Sequence, residues 1–100
     1  TMFVYLAEST ARLARAAVVE ALRRVPESSF HHADLARVLL EQAQLSPPDA
    51  TIEQVFVAFD RALAIDPNQK ALLLDAARAA RALGQDERAA HYEARWTALP

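Results

Sequence analysis

The chain has no cysteine, which excludes a disulfide framework and thiolate metal sites while leaving the compartment open. It has one glycine in 100 residues. Neither a Gly-rich phosphate loop nor a strained nucleophile elbow can be written with that allowance. An excess of basic charge is missing too: 11 Lys and Arg against 13 Asp and Glu give a net charge of -2 at pH 7. That balance offers no general attraction to nucleic acid or to an anionic membrane, and nucleic acid is not expected as a partner. No apolar run approaches the roughly 18 residues of a membrane span, and the first residues lack the basic start and the length of a secretory signal. The chain reads as soluble, with cytoplasm and periplasm both open, and as meeting a membrane only through a parent protein or complex. It opens on Thr1 and the apolar run Met2-Phe3-Val4-Tyr5-Leu6, which suggests a piece of something longer.

What fills the chain instead is alanine, twenty-three residues of it. Alanine loses the least entropy in a helix, so the fold expected is all-α, with about five helices packed closely across small side chains. Leu6, Leu13, Val18, Leu22 and Val25 recur at helical spacing over residues 2–25, and Ser9-Thr10 can cap a fresh helix, so one helix or two are both open there; a turn near Ser9 is expected from the repeat register alone. Pro26-Glu27-Ser28-Ser29 ends that region. A helix over residues 30–45 follows, burying Leu35, Val38, Leu39 and Gln42. Ser46-Pro47-Pro48-Asp49-Ala50-Thr51 is a stiff connector, and Thr51 with Gln54 has the pattern of a capping box. The next helix, residues 52–65, presents Ile52, Val55, Phe56, Phe59, Ala62 and Leu63 to its neighbours and stops at Asp66-Pro67-Asn68. Another covers 69–83 and stops at Gly84. Asp86 is expected to cap the last, which runs to Leu99 with Ala89, Tyr92 and Trp96 on one face.

The phrases repeat. Val25-Pro26 and Asp66-Pro67 each close a helix carrying an Ala-Leu pair, Ala21-Leu22 and Ala62-Leu63, at the same interval before the proline. Leu35, Ala36 and Leu39, then Phe59, Ala62 and Pro67, then Ala77, Gly84 and Ala89 carry a pattern of large, small and turn residues. In this the chain resembles the tetratricopeptide repeat family, whose helix-turn-helix units of about 34 residues stack as a right-handed superhelix. The resemblance implies antiparallel helix pairs in about two and a half repeats: a partial unit at 1–28, a unit at 29–68 with its inter-helix loop lengthened at 46–51, and a unit at 69–100. In that register Tyr5 and Ala14 fall on the first and second helices of the partial unit. His32 and Leu73 stand where the family has a large Trp, and Ala80 where it has a Tyr. Trp96 stands where a small residue would accept a following unit, and is read either as a cap over the open end of the stack or as a docking surface for a missing segment.

The family's first helices line a concave groove for peptide segments, and the resemblance places Phe30, Ala33, Arg37, Leu40, Glu41, Leu74, Arg78 and Arg81 there. Arg37 and Arg78 occupy equivalent positions, and two guanidinium groups on one floor suit an acidic partner. The function expected is a protein-interaction scaffold that binds a peptide or partner domain in this groove. The alternative is a structural helical part of a larger, possibly membrane-associated assembly with no free groove. No cofactor, metal or catalytic residue is expected. His31, His32, Asp34 and His91 do not form a metal set, because adjacent helical histidines point about 100° apart. Residues 2–6 are a candidate surface for self-association.

Overall fold

The structure, a computed structural model, describes residues 2–45 and 48–100, and in the first helix it describes side chains from Thr10 onward. It is all-α, with helices α1 (Met2–Arg24), α2 (Ser29–Ala43), α3 (Ile52–Ile65), α4 (Lys70–Ala82) and α5 (Asp86–Ala98). No strand occurs among the described residues. Adjacent helices pack in pairs, α2 on α3 and α4 on α5, while α1 lies against α2 and α4 joins the pairs through α3. The Cα envelope is 46 × 33 × 17 Å, a slab about two helices thick.

The helix ends follow from local chemistry. Ser28 caps α2 by accepting from the His31 amide at 3.2 Å. Thr51 and Gln54 close both halves of the capping box that starts α3: the Gln54 amide donates to Thr51 Oγ1 at 3.2 Å and the Thr51 amide to Gln54 Oε1 at 2.8 Å. Gly84, at φ 71°, ends α4. Its amide donates to the Arg81 carbonyl, and the Gln85 amide reaches back to the Ala80 carbonyl at 2.7 Å, the paired closure that glycine makes possible after a helix.

The core is built on α3 and α4. Phe56, Phe59, Leu63, Leu72, Leu73 and Val55 are fully buried, and Ala36, Ala62, Ala76, Ala80 and Ala89 have no exposed surface at all. The alanines set the distance between helices, and the aromatic rings fill what remains. Phe56 lies between the Phe59 and Tyr92 rings, with centroids 6.3 and 6.2 Å away.

Several expectations fail. No turn breaks the first helix near Ser9: α1 runs through Ser9-Thr10 without interruption. Neither Pro nor Gly stands there to stop it, and the flanking Ala, Leu, Glu and Arg are strong helix formers. Tyr5 and Ala14 therefore lie on one helix, not on two. Leu13 is 73% exposed and Val25 50% exposed, because α1 has one packing neighbour and covers one stripe, Ala11, Ala14, Arg15, Val18, Ala21 and Leu22. Asp86 does not cap α5. The tight closure at Gly84 makes Gln85 the cap position and Asp86 the first helical residue, where with Glu87 it faces the free amides of the first turn. The second helix also ends earlier than expected, at Ala43, and Leu35 and Val38 are half-buried where Ala33 and Ala36 are buried.

Candidate functional site

One face of α2 carries Phe30, Asp34, Arg37 and Glu41 at helical spacing. Forty-one residues on, α4 carries Ala71, Asp75, Arg78 and Ala82 in the same places, and Asp34-Leu35-Ala36-Arg37 is answered by Asp75-Ala76-Ala77-Arg78. An arginine ladder joins the two. Arg37 Nη1 donates to Asp34 Oδ1 at 3.0 Å within α2, and its Nη2 donates to Asp75 Oδ2 at 2.8 Å across to α4. The bond to Asp75 raises the Arg37 pKa above its ordinary value and outweighs the opposing effect of partial burial. Arg37 is thus occupied by the protein's own carboxylates. Arg78, exposed one turn beyond Asp75, forms no ion pair among the described residues.

The remaining groove residues divide in the same way. Phe30 is 68% exposed, with only the edge of the His31 ring beside it. Glu41 is exposed, while Leu40 and Leu74 are half-buried. Ala33 is buried in the core and cannot line a groove. Arg81 donates to both carboxylate oxygens of Glu93, from Nε at 2.8 Å and from Nη2 at 2.9 Å, a fork that ties α4 to α5. Of the two equivalent arginines, one is already paired and one is free. The repeated Asp-x-Ala-Arg phrase is the signal that identifies the ladder from sequence.

A second polar crevice, of about 770 Å³, opens between α3 and α5 and is lined by Glu53, Asp60, Pro67, His91, Tyr92 and Arg95 among others. Periodicity did not reveal it. Tyr92 Oη donates to Asp60 Oδ1 at 2.6 Å, and Arg88 pairs with Glu53 while its guanidinium lies 4.5 Å from the Phe56 ring centroid. Burial first, and then the bond to Asp60, push the Tyr92 phenol well above its ordinary 10.0. With the folded pKa raised, the stabilisation is complete below about pH 10 and is lost as pH rises beyond it. Tyr92→Phe is therefore expected to cost about 1 kcal/mol at neutral pH, one hydrogen bond's worth, and to flatten the alkaline loss of stability. Urea unfolding of both proteins at pH 7 and pH 10.5 checks this; parallel losses at the two pH values would exclude the tyrosine as the source.

The histidine pair is quiet. The His32 Nε2–H donates to the Pro26 carbonyl at 2.8 Å, which fixes the tautomer, and Nδ1 is buried with no partner. His32 is thus half-buried structure at the start of α2. Among the described residues, no group of three or more His, Asp or Glu side chains is placed to hold a metal ion, and no helix is long and apolar enough to cross a membrane. Gln42, a polar residue that is buried, accepts from Arg15 Nη1 at 3.1 Å, and Arg12 pairs with Asp49 at 3.2 Å; these contacts hold α1 in place. Trp96 lines a groove with Leu73, Leu74 and Ala77 on the α4/α5 face and is 43% exposed. Compared with known proteins, the chain matches no family model, no curated protein and no solved structure.

Proposed function

We propose that the chain is a short helical-repeat interaction module of the tetratricopeptide type, which binds an acidic peptide segment across α2 and α4 and carries out no catalysis of its own. The observation that carries this reading is the repeated Asp-x-Ala-Arg stripe. It sets α2 and α4 side by side through Arg37–Asp75 and leaves an exposed aromatic, Phe30, and an unpaired cation, Arg78, on the helices it joins. Phe30 supplies an apolar anchor and Arg78 the charge; Arg37 acts by holding Asp75 and thereby the spacing of the two helices.

The ladder also dictates the test. Arg37→Glu would bring three carboxylates together and disturb the joint itself, so it cannot separate binding from folding. Arg78→Glu leaves the joint intact. With a dye-labelled acidic peptide read by fluorescence anisotropy, Arg78→Glu is expected to weaken binding about tenfold, and Phe30→Ala by a similar factor. Both variants should keep their helical circular dichroism. Binding unchanged in both would remove the groove assignment.

A second reading is favoured by a different surface. On α1 Leu13 and Val19 are 73% and 41% exposed, and Val25 just past its end is 50% exposed, which suits a helix covered by a further subunit or domain of an assembly. The proposed self-association through residues 2–6 belongs to this reading, and its side chains lie outside those described. Leu13→Glu is expected to leave a scaffold monomer unchanged in sedimentation, and to dissolve an assembly held through α1.

A further inference from the structure

The joint between the second and third units is a template for what the far end of the stack accepts. Adding forty-one residues carries α2 onto α4, and adding thirty-four carries the start of α3 onto the start of α5. In the second unit Ala33, Ala36, Phe59, Ala62 and Leu63 are all at most 5% exposed. Their counterparts, Leu74, Ala77, Glu93, Trp96 and Thr97, line an open groove of about 290 Å³ on the α4/α5 face. Trp96 in that groove is 43% exposed and Thr97 is exposed. The ladder repeats the message: Arg37 receives a carboxylate from the arriving helix α4, and Arg78, its counterpart, has no ion pair among the described residues. The end face therefore presents an apolar groove and a free cation in the arrangement that, one unit earlier, holds a helix.

We infer that the α4/α5 face docks an amphipathic, Ala-rich helix of α4's own pattern from a partner protein, with leucine and alanine against Leu74, Ala77 and Trp96 and an Asp or Glu reaching Arg78. The inference rests on the repeat register of the preceding reading and shares Arg78 with it, but its apolar contacts lie at the end of the stack rather than in the groove. Charge complementarity selects the occupant, because Glu93 is already taken by Arg81 and the open charge is the guanidinium of Arg78. A second copy does not fit the same plan. Its α2 arrives with α1 already packed on it, as a preceding second helix would be, and that is the place α5 has to occupy.

Trp96 is the sole tryptophan, so its emission reports directly on this face. The probe is a helix-stapled peptide of residues 70–82, added to the full chain. Saturable binding with a blue shift of Trp96 emission is expected. Arg78→Ala in the chain, or Asp75→Asn in the peptide, should weaken it about fivefold, and the two changes together should cost no more than either alone. Trp96→Ala, followed with a dye-labelled peptide, should weaken it at least tenfold. No blue shift at millimolar peptide, or binding indifferent to both Arg78→Ala and Trp96→Ala, would overturn the inference. So would a blue shift that appears on concentrating the chain alone, which would make a second copy the occupant. The groove reading is tested separately by Phe30→Ala and an acidic peptide that leaves Trp96 unshifted, so one reading can fail while the other stands.

Discussion

Phe56→Ala is expected to cost about 3–5 kcal/mol, the transfer energy of the ring plus the cavity it leaves behind. Phe56 is 1% exposed, and its loss is felt on two helices at once. Within α3 it abuts Phe59, and across to α5 it meets the Tyr92 ring and the Arg88 guanidinium. Small domains are stable by only about 5–15 kcal/mol, so such a loss removes about a fifth or more of what is available. Urea unfolding should show the midpoint falling while the slope stays the same. Phe56→Leu, which keeps most of the volume, should lose about 1.5 kcal/mol or less. A loss below about 1 kcal/mol for the alanine variant would mean that the ring is not the joint between α3 and α5.

The contrast between α3 and α1 explains what the sequence could and could not disclose. In α3 the apolar residues Val55, Phe56, Phe59 and Leu63 are large and the polar ones are clear, so a single face is legible, and both ends are set by short-range signals, Thr51 with Gln54 and Asp66 with Pro67. In α1 the pattern is alanine, leucine and arginine mixed around the helix. Which stripe is buried there depends on where α2 lies, a long-range fact that periodicity does not contain. The same distinction runs through the candidate site. Phe30 and Arg78 are exposed because of their position on their own helices; the resemblance to the repeat family, not spacing, assigns them to a groove. That Arg37 is occupied by Asp75 and Arg81 by Glu93 depends on partners 38 and 12 residues away, beyond local reading. The Tyr92–Asp60 pair, 32 residues apart, has no sequence signal of its own.

Ala80→Leu separates two ways of reading a repeat. Leu39 stands forty-one residues before Ala80, so a reading by the proposed repeat expects the larger side chain to fill out α4 and stabilise it. Packing argues the reverse. Ala80 has no exposed surface, it sits where α4 meets α5, and its carbonyl receives the Gln85 amide in the closure at Gly84. Three added carbons have no space there unless α4 and α5 move apart, and that movement strains a turn set by one glycine at φ 71°. Overpacking of this kind costs about 1–3 kcal/mol. Ala80→Gly should also destabilise, by about 1 kcal/mol from helix propensity alone, so both directions lose, as expected of a filled site. Thermal unfolding of the three proteins decides it, and a rise in Tm for the leucine variant would reveal a void beneath α5. The consequence reaches function as well. Forcing α4 outward shifts Asp75 against Arg37 and moves Arg78 relative to Phe30, so on the proposed reading the leucine variant should bind an acidic peptide more weakly although neither Phe30 nor Arg78 has changed.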